Sequence, residues 1–161
     1  MNQIIDIYSK GEYPADCLSN FYPHAFVIDG VPCASMEGFL QSLKYRSRKK
    51  QRAVCALAGK EAKKKGRRKF FWRLSGTLYW NGVRIKRQGT AFSQLLMRAY
   101  LEMYLQCPAF REALAASEGK ELAHSIGGSD PKRTVLTERE FIACLLLLRT
   151  YRGEPVALDN D

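Results

Sequence analysis

Glu37, Gln41 and Lys44 recur at i, i+4 and i+7 in the stretch Ser35 to Arg48, the spacing of one row along a helix. A carboxyl in such a row can act as acid, base or charge stabiliser, and an amine can act as a nucleophile. Met36, Phe39, Leu40 and Leu43 make an apolar stripe on the same turn count. At about 100° per residue the polar row lies roughly 130° from the centre of that stripe, at the border of core and water where a cleft wall would stand. The same row also suits a solvated helix face with a weak electrostatic benefit.

The elements that must position this row are legible in outline. Ser35 suits the N-cap of its helix. Ile4, Ile5, Ile7 and Tyr8 read as a first strand, and Gly11, Pro14 and Asp16 as a loop. Asp29-Gly30 between Phe26–Ile28 and Val31–Cys33 predicts a hairpin with a type I′ turn, with Pro32 on an edge. Asn81-Gly82 between Leu78–Trp80 and Val83–Ile85 predicts a second. Residues 51–65 read as helical, divided at Gly59, with Gly66 as a left-handed end. Phe92 to Met103 carries a strong helical period, broken at Cys107-Pro108. A short helix with Phe110 and Leu114 follows, then an extended segment from Leu122 to Ile126 and a Gly-rich loop at 127–131. Thr137 and Glu140 form a capping-box pattern that opens a last helix to about Arg149. The expected fold is α+β, a mainly helical single domain over residues 1–152 with short antiparallel strands and hairpins, and a loose tail at 153–161.

Composition narrows the function classes. A chain of 161 residues fits one domain with its own core. No apolar run nears the ~20 residues that span a bilayer, and the start lacks a basic region followed by an apolar one, so neither a membrane partner nor a signal peptide is expected. Five cysteines without a C-x-x-C pair favour a reducing, cytoplasmic setting over disulfides or a zinc site. The net charge is +10, and most of the excess lies between Lys44 and Arg73. That block favours polyanions, either nucleic acid or a phosphate-bearing substrate, with a merely solubilising surface as the alternative. Neither a helix-turn-helix nor a zinc-finger pattern is legible. His24 and His124 read as structural, having no partner at ligand spacing.

The segment Leu18-Ser19-Asn20-Phe21-Tyr22-Pro23, then Asp29-Gly30, then Glu37 with Phe39, Gln41 and Lys44, resembles the signature of the NADAR (YbiA-like) family. Glu61 to Arg67 is similar to that family's Ala-Lys-x-x-Gly-Arg stretch. Leu96 to Leu114 is similar to its helix, proline break and Arg-Glu-x-Leu segment, and Leu145 to Arg149 to its final helix. The likeness runs in order over roughly residues 17–150. It departs in the late loop, where no Trp follows Asp130, and either Trp80 or Trp72 matches the family's central Trp.

The resemblance implies a YbiA-like fold and an N-glycosidase that cleaves the bond between the anomeric carbon of ribose and an amino nitrogen. The implied substrates are ADP-ribose on guanine or phosphoribosylamino intermediates of riboflavin synthesis, and an ADP-ribosylated nucleic acid is an implied partner. Nothing in the sequence requires a metal, and no cofactor is expected. Glu37 is the expected acid or stabiliser and Lys44 a nucleophile or phosphate partner, about 10 Å apart along a helix axis at 1.5 Å per residue. Asp130 is the expected second carboxylate or ribose contact, with a turn role as the alternative. Asn20 suits ribose hydroxyls or a turn, Phe21 a base or the core, and Gln41 the orienting of Glu37 or of the substrate. Trp80 suits base stacking from a hairpin end, with burial in the core as the alternative. Arg46, Lys63 and Arg67 are candidates for phosphate contact, with plain surface charge as the alternative for each. The alternative from another class is a nucleotide- or nucleic-acid-binding module without turnover.

Overall fold

The computed structural model describes residues 2–151 and 153, so the tail expected at 153–161 lies outside the described residues apart from Gly153. Among the described residues the order is β1 (Ile4–Asp6), α1 (Ala15–Leu18), β2 (Phe26–Ile28), β3 (Val31–Cys33), α2 (Met36–Ser42), α3 (Arg48–Cys55), α4 (Gly59–Arg67), α5 (Trp72–Ser75), β4 (Thr77–Trp80), β5 (Val83–Lys86), α6 (Thr90–Gln106), α7 (Pro108–Ala116), β6 (Glu121–Ala123) and α8 (Glu138–Thr150). The fold is α+β, mainly helical, with short strands, as the sequence leads one to expect. No helix among the described residues is long and apolar enough to cross a membrane.

Both hairpins form, with Asp29, Gly30, Asn81 and Gly82 all at positive φ as type I′ turns require. A third pair is parallel and was not expected: β1 runs beside β6, with Ile5 opposite Leu122. Pairing across most of the chain has no turn signal to announce it. The strand ends at Ala123, and Ser125 and Ile126 form a turn rather than continuing it. The segment around Pro14 and Asp16, expected as loop, contains the single turn α1.

The helix bearing Glu37 is shorter than its apolar period suggests. Ser35 caps it, its hydroxyl accepting from the Gly38 N–H, and it stops at Ser42. The buried Gln51 side chain explains the stop. Its amide donates to the carbonyls of Ser42 (3.1 Å), Tyr45 (3.3 Å) and Tyr79 (2.8 Å), and its Oε1 accepts from the Asn81 N–H (3.0 Å). One side chain thus satisfies the orphan carbonyls of a helix end and ties it to the second hairpin. Ser47 then caps α3 through the Lys50 N–H. Lys44 therefore sits on a turn and not on the helix.

The stretch 51–65 divides as expected, with Gly59 at φ +53° opening α4. Gly66, expected as a left-handed terminus, lies inside α4 without positive φ. The core gathers Phe39, Phe92, Tyr100, Phe110 and Phe141, each essentially sealed from solvent. Thr137 and Glu140 complete the capping box of α8, and Glu140 also receives the buried Arg87 guanidinium at 2.6 and 3.1 Å.

Candidate active site

A cleft of about 530 Å³ opens between α2 with its following turn, α4, the Asn20–Phe21 corner, the segment 69–73 and the loops at 124–128 and 133–136. That volume falls in the range of small-ligand sites. Glu37, Gln41 and Lys44 line one wall, so the row read from the sequence faces a concavity.

Glu37 is 8% exposed. Its N–H donates to the Asn20 carbonyl at 3.0 Å, which fixes the start of α2 against the Asn20 corner. Its Oε1 accepts from Gln41 Nε2 at 2.8 Å. Burial raises its proton affinity above the usual carboxylate range, against the pull of Gln41, Lys63, Lys44 and His124. Gln41 Oε1 is buried without a hydrogen-bond partner, so the amide group of Gln41 is turned toward Glu37.

Lys44 Nζ donates to the Gly66 carbonyl at 3.3 Å and lies 5.7 Å from the centre of the Trp72 ring. Burial brings its pKa down to about 8. Glu37 opposes that shift, and Arg73 and Lys63 add to it. The carboxyl thus holds a proton more readily than usual and the amine sheds one more readily, the combination that acid and nucleophile chemistry needs near neutral pH.

Asn20 and Phe21 line the cleft. The buried Tyr100 hydroxyl donates to Asn20 Oδ1 at 2.6 Å, and Lys63 Nζ lies 5.5 Å from the centre of the Phe21 ring. Lys63 and Arg67 line the cleft as well, together with Lys69 and Arg73, so its rim is cationic.

Three residues singled out in the sequence stand elsewhere. Arg46 is exposed and outside the cleft. Trp80 is buried, packs edge-on against Phe39 at 5.1 Å and donates from Nε1 to Asp29 Oδ2 at 2.8 Å, joining the tips of the two hairpins. The tryptophan beside this wall of the cleft is Trp72, beneath Lys44. Asp130 is exposed and shapes a turn: Oδ1 accepts the Lys132 N–H, and its carbonyl accepts from Arg133 and Thr134. That is the turn role weighed as its alternative, and it presents 133–136 to the cleft.

His124, read as structural, lines the cleft. Its Nδ1 lies 2.7 Å from the Ile7 carbonyl, which can only accept, so Nδ1 carries the proton. The parallel β1–β6 pairing puts it there, and nothing in the local sequence signals that pairing. Among the described residues no group of His, Cys, Asp and Glu is arranged to hold a metal ion.

Residues 12–150 match the family model described as bacteriophage protein GP30.3. A relative in Enterobacteria phage T4, titled an uncharacterized 17.1 kDa protein in the Gp30-rIII intergenic region, is 42% identical over 146 residues, covering 90% of this chain and 96% of its own. The NMR structure of the E. coli protein YbiA superposes with a TM-score of 0.62 at 18% identity, covering 92% of this chain and 84% of that one, which is a likeness of fold. The chain belongs to the bacteriophage GP30.3 family, a NADAR-type family, and has the YbiA-like fold.

Proposed function

We propose that the protein is an N-glycosidase that hydrolyses the bond between ribose and an amino nitrogen, removing ADP-ribose from guanine or cleaving a phosphoribosylamine. The observation that carries the reading is the pairing of a buried Glu37, its proton affinity raised by burial, with a partly desolvated Lys44 on one wall of a cation-rimmed cleft. Chemistry of this kind needs a proton for the leaving nitrogen and a means of meeting positive charge at the anomeric carbon. Glu37 gives its proton to the nitrogen as the C1′–N bond breaks. Lys44, as the free amine, attacks C1′; the ring oxygen leaves with a proton and an imine to Lys44 remains. Water adds to that protonated imine and expels Lys44, whose extra proton returns to the Glu37 carboxylate as the sugar is released. Lys63, Arg67, Lys69 and Arg73 suit the phosphates, and Asn20 suits a ribose hydroxyl.

Incubation with ADP-ribosyl-guanine DNA and with phosphoribosylaminouracil, read by mass spectrometry, tests the reading. Release of the free sugar from either supports it. Binding of both with release from neither leaves a binding module and rejects the enzyme.

A further inference from the structure

The segment after α4 exposes what a folded chain ordinarily covers. Phe70 and Phe71 are 53% and 69% exposed, and their rings stack on each other at 4.8 Å with 26° between planes. Leu74, one turn on, is 85% exposed, while Trp72 between them turns inward. The run Phe70-Phe71-Trp72 is thus split, with one aromatic in the core and two outside it.

The charge around this pair is one-sided. Arg67, Arg68, Lys69 and Arg73 flank it, all exposed. From Gly38 to Leu101 the chain carries a single carboxylate, Glu61. Among the described residues the ion pairs are Arg87 with Glu140 and Arg98 with Asp29, so none of the four flanking cations is neutralised by one. Phe70, Arg67, Lys69 and Arg73 also line the cleft, so the patch is continuous with its mouth.

We infer that this patch is a docking surface for single-stranded nucleic acid, with a base stacked on the Phe70–Phe71 pair and backbone phosphates on Arg67, Arg68, Lys69 and Arg73. Exposed aromatics interleaved with cations are what a single strand requires, because every base has a π-face and every linkage a charge. A duplex buries its bases and gains only the charge. A bilayer would also meet apolar and basic groups together, but a membrane seated on Phe70 would cover the mouth of the cleft that Phe70 lines. A strand instead leads one nucleotide into it. The inference rests on the proposed function for why a strand is bound, but not for the binding itself, so the test uses an unmodified strand.

The experiment is fluorescence anisotropy of the whole protein with labelled oligothymidylate, with the same sequence as a duplex, and with phosphatidylcholine–phosphatidylglycerol vesicles. The single strand is expected to bind tightest, with a log–log salt slope steeper than about −2, as at least three phosphates would give at about −0.7 each. Phe71 and Arg68 lie outside the cleft lining, so their variants leave its chemistry alone. Phe71→Leu is expected to weaken the single strand about tenfold, and Phe71→Tyr to restore it, because stacking needs a ring. Arg68→Gln is expected to flatten the salt slope by nearly one phosphate's worth. Thermal melting should not separate these variants from the parent. Equal affinity for duplex, binding to vesicles that survives Phe71→Leu, or no binding of the strand would each overturn the inference. An absence of glycosidase activity would leave these results unchanged, so the two readings fail separately.

Discussion

Gly66 packs directly against the carboxamide of Gln41, leaving no space for a Cβ at position 66. The same carboxamide donates to Glu37, so a glycine on α4 makes room for the side chain that hydrogen-bonds a carboxyl on α2.

Gly66→Ala is therefore expected to act on the site more than on the fold. Alanine improves the helix by about 1 kcal/mol. The displaced Gln41 amide gives up a hydrogen bond to Glu37 of about the same worth. Stability should change little, while kcat falls at least about tenfold, or about 1.4 kcal/mol of barrier. Thermal melting beside steady-state kinetics checks this, and an unchanged kcat would show that Gln41 does not position Glu37.

Lys44→Met should lose activity and gain stability. With a folded pKa of about 8, below its ordinary 10.5, Lys44 resists being charged in place. That penalty is fully present below pH 8, shrinks as pH rises, and is gone above the unfolded value. The variant's gain in melting temperature should accordingly be larger at pH 7 than at pH 10. The wild-type rate of covalent capture should rise as pH passes about 8, where the free amine becomes the main form. Borohydride quenching with peptide mapping reads the adduct; turnover without any adduct at Lys44 would replace the imine route with direct attack by water.

His124→Asn separates two uses of one ring. Asparagine can keep a donor for the Ile7 carbonyl but has no counterpart of Nε2. If Nε2 serves the cleft, kcat falls while melting stays near the parent's. Parental kcat at a parental melting temperature would return His124 to the purely structural reading.

The candidate site was legible where chemistry and period coincide. Glu37, Gln41 and Lys44 share a row that a helical count reveals, and Asn20, Phe21, Lys63 and Arg67 stand with them in one cleft. Both hairpins were legible because Asp-Gly and Asn-Gly specify a backbone conformation on their own. What escaped depends on contacts distant in sequence. Trp80 at a hairpin end looks like a stacking platform until the Asp29 carboxylate is brought to its Nε1. His124 enters the cleft through a parallel strand pair, and α2 ends early because Gln51 reaches back to it. Gly66 reads as a helix stop when the neighbour it makes room for is unknown.

The most direct measurement compares sugar release from ADP-ribosyl-guanine DNA and phosphoribosylaminouracil by the parent protein and by Glu37→Gln. Glutamine preserves the shape but has no proton to give, so release should fall by about 10²–10⁴-fold, while ligand affinity stays within a few-fold. Full-rate release by Glu37→Gln would contradict the account.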